Sequence, residues 1–259
     1  MFSDKKFQAW GKQDVVLFAS VMTRIKDRED DALLSAYGFR GFPSLALLDS
    51  EGEMVTKEIG RDLYSMQTVS AAVSVYHKLK PKVDAGEEVD QAAWFMARLG
   101  MGELKLEEAK KEAAGLQLND GQKETASKQI FVMELDGLIQ QLRKRSMEVD
   151  AAGDAVYAFY RQGKRLPDGA SLTSFYDQML VKGASKAKDA EAFFFSYPRV
   201  KEGMTTQLES LEKGKLQYKD NERAQEYFTR NIESTKKQIA ELEIQAKAVK
   251  AKADKVDKG

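Results

Sequence analysis

The sequence predicts a mixed α/β region over residues 1–80, followed by a long region built only from helices. Two observations carry this prediction. Short apolar runs rich in β-branched residues occur up to residue 59, separated by turn residues, and such runs are typical of strands. After Pro81 the strand-like alternation disappears, and apolar residues recur at helical spacing as far as residue 256.

The composition excludes several classes of function. The 259 residues include 41 Lys+Arg and 41 Asp+Glu, a balance that gives no general attraction to nucleic acid. Cysteine is absent, which excludes disulfides, thiolate nucleophiles and cysteine-ligated metals from this chain. The single histidine, His77, cannot form a multi-histidine site, and no phosphate-binding glycine loop or hydrolase serine motif occurs. We therefore expect no cofactor, no metal site and no nucleic-acid partner.

The first half of the N-terminal region predicts a helix, a strand and a second helix. Residues 2–10 are typical of a helix turn with an acidic or hydroxyl cap, and residues 15–21 of a buried parallel strand. Residues 30–37 predict a short helix that ends at Gly38, because glycine adopts the left-handed conformation at little cost.

The second half predicts a hairpin and an amphipathic helix. Residues 44–48 and 53–59 read as two strands, and the acidic, glycine-containing turn at residues 49–52 joins them. Residues 63–79 carry apolar side chains at a spacing of three and four, which predicts one helix with a buried face.

Residues 37–52, Tyr-Gly-Phe-Arg-Gly-Phe-Pro-Ser-Leu-Ala-Leu-Leu-Asp-Ser-Glu-Gly, resemble the cis-proline segment of the thioredoxin superfamily. The likeness combines Tyr-Gly-x-Arg-Gly-x-Pro with an apolar strand and an acidic turn that ends in glycine. Residues 2–4 are similar to the segment that follows Cys-x-x-Cys in bacterial thioredoxin-like proteins. The resemblance covers residues 1–80 and implies an α/β thioredoxin-like domain there.

The resemblance also implies a site. In the family, the cis proline lies against the dithiol and the residue before it contacts the substrate backbone. Carried over to this sequence, Pro43 is that proline and Phe42 is the substrate-contact residue. No catalytic residue is assigned, because the chain has no cysteine. The alternative is that residues 41–43 remain only as a structural turn.

The family's first strand and its Cys-x-x-Cys motif would precede Met1. We therefore expect either an N-terminally truncated form or a cysteine-free relative with a rearranged sheet. A lost upstream signal peptide would place the protein in the periplasm or outside the cell; otherwise it would be cytoplasmic.

The middle of the chain predicts a helical array. Residues 81–88 are polar and predict a linker, and residues 89–200 predict a helical domain that resembles tetratricopeptide repeats without a repeat consensus at fixed period. Gly183 and Pro198 are among the residues that separate the candidate helices. These helices cover residues 89–99, 105–116, 119–145, 151–162, 172–181 and 186–195. Aromatic residues between 156 and 197 serve either as core or as the lining of a concave peptide groove.

Residues 201–259 predict a long helical hairpin or a coiled-coil-like tail. Between residues 221 and 256 there is no proline or glycine, and apolar residues keep a three-four spacing. The partner of this stretch is either the segment around Met204 and Leu208, or a second copy in a dimer through residues 221–256. No apolar run approaches the ~20 residues that span a bilayer.

Two functions are consistent with these features. The first is a thioredoxin-family protein linked to thiol-disulfide exchange or redox homeostasis, inactive as this cysteine-free chain. The second is a non-catalytic scaffold whose helical region binds a protein or peptide partner.

Overall fold

The computed structural model describes residues 4–13, 15–17, 33–41, 44–57 and 59–256. It is 72% helical. The sheet that it describes has two antiparallel strands, β1 (Leu47–Leu48) and β2 (Met54–Thr56). The prediction of an α/β thioredoxin-like N-terminal domain is therefore wrong: the fold is mostly all-α.

Helices account for the other elements of the described ranges. They are α1 (Lys5–Gln13), α2 (Leu33–Ala36), α3 (Leu63–Asp84), α4 (Gln91–Gly100), α5 (Leu106–Gly115), α6 (Asp120–Arg143), α7 (Val149–Arg161), α8 (Thr173–Ala187), α9 (Ala190–Gln217) and α10 (Glu222–Val256).

The described parts of the apolar runs near the N-terminus do not build the predicted sheet. Residues 15–17, the described part of the predicted strand 15–21, have no regular structure, and Val16 is 96% exposed. Of the predicted strand 44–48, only Leu47 and Leu48 pair with a neighbour. A β-branched run becomes a strand only where a partner strand and a covering layer bury it. The composition of these runs alone was therefore not sufficient to predict strands.

The predicted hairpin is present but short. Leu47 pairs with Thr56 and Leu48 with Met54, with an irregular register between them. Asp49 shapes the turn, since its Oδ1 accepts hydrogen bonds from the backbone N–H groups of Glu51 and Glu53, both at 2.9 Å. Gly52 has a φ of +85°, which glycine tolerates best.

The chain forms two compact units, Met1–Ile130 with Pro167–Ser171, and Phe131–Leu166 with Leu172–Gly259. In the first unit, α3 begins at its N-cap Asp62, whose carboxylate accepts from the Ser65 backbone N–H at 2.9 Å. The helix continues to Asp84, through part of the stretch predicted as a linker. Its buried face packs with Met101 and with Leu47 and Val55 of the hairpin.

The second unit is a helical array built from part of α6 and from α7 to α10. Successive helices α7, α8, α9 and α10 pack against one another in chain order. Their shared core holds large buried side chains from every layer: Phe131, Leu135, Val156, Tyr160, Tyr176, Leu180, Phe193, Leu242 and Val249. Burial of such side chains is the main stabilising contribution to an array of this kind.

Helices α9 and α10 form a long antiparallel hairpin within the chain. Ion pairs join them at two levels, Lys201 to Glu243 at 2.7 Å and Lys236 to Glu212 at 3.0 Å. Helix α9 begins at Ala190 and continues through Pro198, where the sequence predicted a break. The stretch 221–256 therefore has an intramolecular partner, one of the two alternatives that its pattern left open.

Candidate binding groove

A groove of about 620 Å³ lies on the surface of the second unit, where α7 to α10 each contribute residues. We call it the array groove. It is lined by Val149, Asp150, Asp154, Gln178, Met179, Val181, Lys182, Ser185, Lys186, Val200, Met204, Gln238, Glu241, Leu242 and Gln245.

The floor of the array groove is apolar. Val181, Val200 and Leu242 are nearly fully buried and also belong to the core of the unit. Met179 and Met204 are half-buried, so their flexible thioether side chains lie between the core and the groove surface. The floor is thus continuous with a rigid core but presents adaptable side chains to a ligand.

One wall of the array groove carries two ion pairs between α7 and α8. Lys182 Nζ lies 2.7 Å from Asp150 Oδ1, and Lys186 Nζ lies 2.5 Å from Asp154 Oδ2. The hydrogen bond and charge of Lys182 hold the pKa of Asp150 below its usual value. Those of Asp154 raise the pKa of Lys186. The wall thus pairs two acidic side chains with two basic ones.

The opposite wall belongs to α10 and is different in character. It offers the carboxylate of Glu241 and the amides of Gln238 and Gln245. Glu241 has a lysine neighbour, Lys237, but at 3.9 Å the contact is long and exposed, which makes it weak. This wall can accept hydrogen bonds and a positive charge from a ligand.

Two glycines fix the spacing of α7 and α8 beneath the first wall. A Cβ on Gly183 would lie 2.2 Å from the carbonyl oxygen of Gly153 and 2.7 Å from Tyr157 Cβ. The backbones of α7 and α8 therefore approach more closely than any residue other than glycine would permit at these positions. This approach places Lys182 and Lys186 within reach of the aspartates of α7.

Helices α8 and α9 are joined by a buried polar contact. Asp177 is 2% exposed and Ser196 is fully buried, and the Ser196 hydroxyl donates to Asp177 Oδ1 at 2.5 Å. Arg199 donates two further hydrogen bonds to the same carboxylate. Because every polar atom in this contact has a partner, it sets the register of α8 against α9.

The residues that the sequence singled out lie elsewhere. Phe42 and Pro43, the substrate-contact residues implied by the family resemblance, are outside the described residues. The aromatic residues of the middle section mostly pack in the core, among them Tyr160, Tyr176 and Phe193. They do not line the array groove.

The groove residues were missed because no local signal marks them. They come from four helices, and lining residues such as Asp150 and Glu241 lie far apart in sequence. The one usable signal was the pair of glycines at 153 and 183, since a helical glycine without a turn nearby often marks a close helix contact.

Other kinds of site find no support in the described part of the chain. No group of three or more His, Asp or Glu residues there is placed to hold a metal ion. No helix in the described ranges combines the length and the hydropathy that crossing a membrane requires.

Comparison of the chain with protein-family models, with curated proteins and with solved structures gives no match. Nothing in these comparisons identifies the thioredoxin superfamily or the tetratricopeptide repeats. Both resemblances stay predictions from short stretches of sequence.

Proposed function

We propose that the second unit is a non-catalytic interaction scaffold and that its array groove binds an amphipathic helix of a partner protein. The observation that supports this proposal is the apolar floor, which α8, α9 and α10 supply between two polar walls. Thiol-disulfide exchange has no such support, because no residue of this chain can form a thiolate.

The chemistry of the array groove favours a helix as its occupant. Helix-in-groove recognition places apolar anchors at spacings of three and four onto an apolar floor. Met179 and Met204 can adjust to different anchors, as methionines do at helix-binding surfaces.

The charges of the walls define the partner further. Asp150 and Asp154 are already neutralised by lysines, whereas Glu241 is the acidic group with only a distant cation. A partner helix with an apolar stripe and basic residues along one side would pair with Glu241 and meet the amides of Gln238 and Gln245. The reverse charge pattern would place a carboxylate against Glu241 and bind less well.

A fluorescein-labelled amphipathic peptide tests this proposal. The peptide has leucine at helical spacing on one face and lysine along one flank, and fluorescence anisotropy reports its binding to the full chain. We expect saturable binding that Met204→Glu weakens at least tenfold, because the substitution places a carboxylate on the apolar floor. Gln207→Glu, an exposed position of the same helix outside the groove, is the matched control and leaves binding unchanged.

Methyl NMR of the ten methionines locates the peptide. We expect the resonances of Met179 and Met204 to shift on titration. Equal binding of the peptide by both glutamate variants, or methyl shifts confined to methionines outside the groove, would contradict the proposal. A scrambled peptide of the same composition, with no apolar face, controls for non-specific attraction.

A further inference from the structure

The tip of the α9–α10 hairpin presents apolar side chains to solvent. We define the hairpin tip as residues 213–228, the end of α9, the connection and the start of α10. Leu216 is 76% exposed, Tyr218 is 49% exposed and Tyr227 is 53% exposed. Three large apolar side chains at one end of a helical rod are a concentration of apolar surface that folding of the unit does not require.

Local contacts hold the hairpin tip in a defined conformation. The side-chain amide of Gln225 donates to the carbonyl oxygens of Lys215 at 2.6 Å and Tyr218 at 3.0 Å, so it joins the two helix ends. The Asn221 side chain accepts from the backbone N–H of Ala224 at 3.0 Å and caps α10.

Aromatic stacking adds to this order. Tyr218 stacks on Phe228 with ring centroids 6.1 Å apart, and Tyr227 meets the edge of the same ring at 5.4 Å. A Cβ on Gly214 would lie 2.5 Å from Phe228, so glycine is what lets the ring sit against α9. The exposed groups are therefore carried by a preorganised platform, which lowers the entropy cost of binding.

The hairpin tip carries one more cation than carboxylate. Residues 213–228 contain four cations, Lys213, Lys215, Lys219 and Arg223, and three carboxylates, Asp220, Glu222 and Glu226. None of these four cations takes part in an ion pair within the described ranges. Their charge is available to an external anionic surface.

We propose that the hairpin tip docks onto the surface of an anionic lipid bilayer. Tyrosine and leucine beside lysine and arginine are the groups that enter the headgroup region while the cations meet lipid phosphates and carboxylates. A protein partner fits the tip less well, because a stable protein interface takes about 800 Å² and 20–30 residues from each side. The tip offers only a few side chains and has the convex form of a rod end.

Vesicle co-sedimentation of the full chain tests this proposal without any peptide ligand. The probes are phosphatidylcholine vesicles that contain phosphatidylserine and vesicles of phosphatidylcholine alone. We expect binding to the anionic vesicles only, weakened by added salt. Removal of each cation should lower the partition coefficient for the anionic vesicles by about fivefold. The double variant Lys213→Gln/Lys219→Gln should therefore lower it by more than tenfold.

Matched variants separate the hairpin tip from the rest of α10. Leu216→Gln and Tyr227→Gln should each weaken vesicle binding, whereas Ile244→Gln, at a 65% exposed apolar position of α10 away from the tip, should not. Lys247→Gln/Lys250→Gln removes two cations near the other end of α10 and should leave binding unchanged. Circular dichroism confirms that each variant keeps the helical content of the parent chain.

Three outcomes would overturn the proposal. They are a failure of the chain to bind anionic vesicles, loss of binding through Lys247 and Lys250 with no effect of the tip variants, and a change from dimer to monomer when the tip is altered. The last, measured by sedimentation equilibrium, would assign the hairpin tip to self-association. None of these results bears on the array groove, since the peptide experiment uses other residues.

Discussion

Arg199 holds the carboxylate of Asp177 with two hydrogen bonds, Nε to Oδ2 at 2.7 Å and Nη2 to Oδ1 at 2.6 Å. The two side chains differ in their surroundings, because that of Asp177 is 4% exposed whereas that of Arg199 is 47% exposed. The Arg199 guanidinium also lies 4.9 Å from the centre of the Phe195 ring. Both the Asp177 carboxylate and the Phe195 ring therefore hold it in place. Asp177 is therefore a buried anion that depends on Arg199 and Ser196 for its solvation.

Asp177→Asn should destabilise the second unit by about 1–3 kcal/mol, because the amide cannot accept both arginine bonds and the Ser196 bond. Urea denaturation followed by circular dichroism measures the change. Asp154→Asn is the control, since its pair with Lys186 is on the surface and such pairs contribute little. Equal losses in both variants would show that burial of Asp177 is not what matters.

Gly183→Ala should destabilise the array by about 1–3 kcal/mol, because the new methyl group collides with backbone of α7 and forces the helices apart. The matched variant is Gly203→Ala in α9, where nothing lies within 4 Å of the added Cβ. The free energy of unfolding of that variant should rise by about 0.5–1 kcal/mol, since alanine has a higher helix propensity than glycine. If Gly183→Ala were as stable as Gly203→Ala, the close contact of α7 and α8 would be disproved.

Tyr176 should make stability depend on alkaline pH. Burial raises the pKa of its hydroxyl to about 12 from an ordinary value of 10.0, because the charged phenolate is disfavoured in the core. The folded protein keeps the proton at a pH where the unfolded chain releases it. The contribution of Tyr176 to the free energy of unfolding is complete below pH 10. It is lost between pH 10 and 12, at about 1.4 kcal/mol per pH unit.

Tyr176→Phe removes this contribution and should flatten the fall in unfolding free energy above pH 10. The comparison is made with Tyr227→Phe, which changes an exposed tyrosine instead. Urea denaturation of the three proteins across this pH range measures the slopes. The same slope for the parent chain and Tyr176→Phe would argue against a buried, neutral Tyr176.

Asp189 should contribute more than an ordinary helix cap. Its Oδ1 accepts from the Ala192 backbone N–H at 3.1 Å, and its Oδ2 accepts from Tyr157 at 2.9 Å and from Arg161 at 3.2 Å. Asp189→Ala loses all three and should cost about 2 kcal/mol, near the upper end for cap removal.

Asp90 provides the comparison, because it caps α4 through one hydrogen bond to the Ala93 backbone N–H. Asp90→Ala should cost about 1 kcal/mol, less than Asp189→Ala. Asp189→Asn keeps a capping side chain, so its stability should lie between that of Asp189→Ala and that of the parent chain. A larger loss for Asp90→Ala than for Asp189→Ala, measured by thermal unfolding, would contradict this ranking.

Much of the helical region was predictable from local pattern. The sequence predicted helices at 105–116 and 119–145, and the structure has Leu106–Gly115 and Asp120–Arg143. Such helices follow from apolar periodicity and from caps within one turn of the helix end, which are local features. The turn at residues 49–52 was predictable for the same reason, since Asp49 and Gly52 determine it together.

The interior of the array was less predictable. Gly183 and Pro198 were expected to end helices, yet α8 and α9 continue through them. Gly183 lies in a helix because α7 leaves no room for a Cβ there. Pro198 removes one backbone hydrogen bond, a loss that burial of Phe193 and Val200 on the same helix offsets.

The sequence by itself determined the helical character of residues 63–79 and of most of residues 89–256, the position of the hairpin turn and the absence of cysteine chemistry in this chain. These depend on residue type and near-neighbour spacing, which are properties of the chain alone. Tertiary structure decided that the described parts of the N-terminal apolar runs pair only as a short antiparallel hairpin, and that Asp150, Met204 and Glu241 share one groove. Strand pairing and groove lining both depend on which distant segments meet, and that is settled by packing of whole faces rather than by any local pattern.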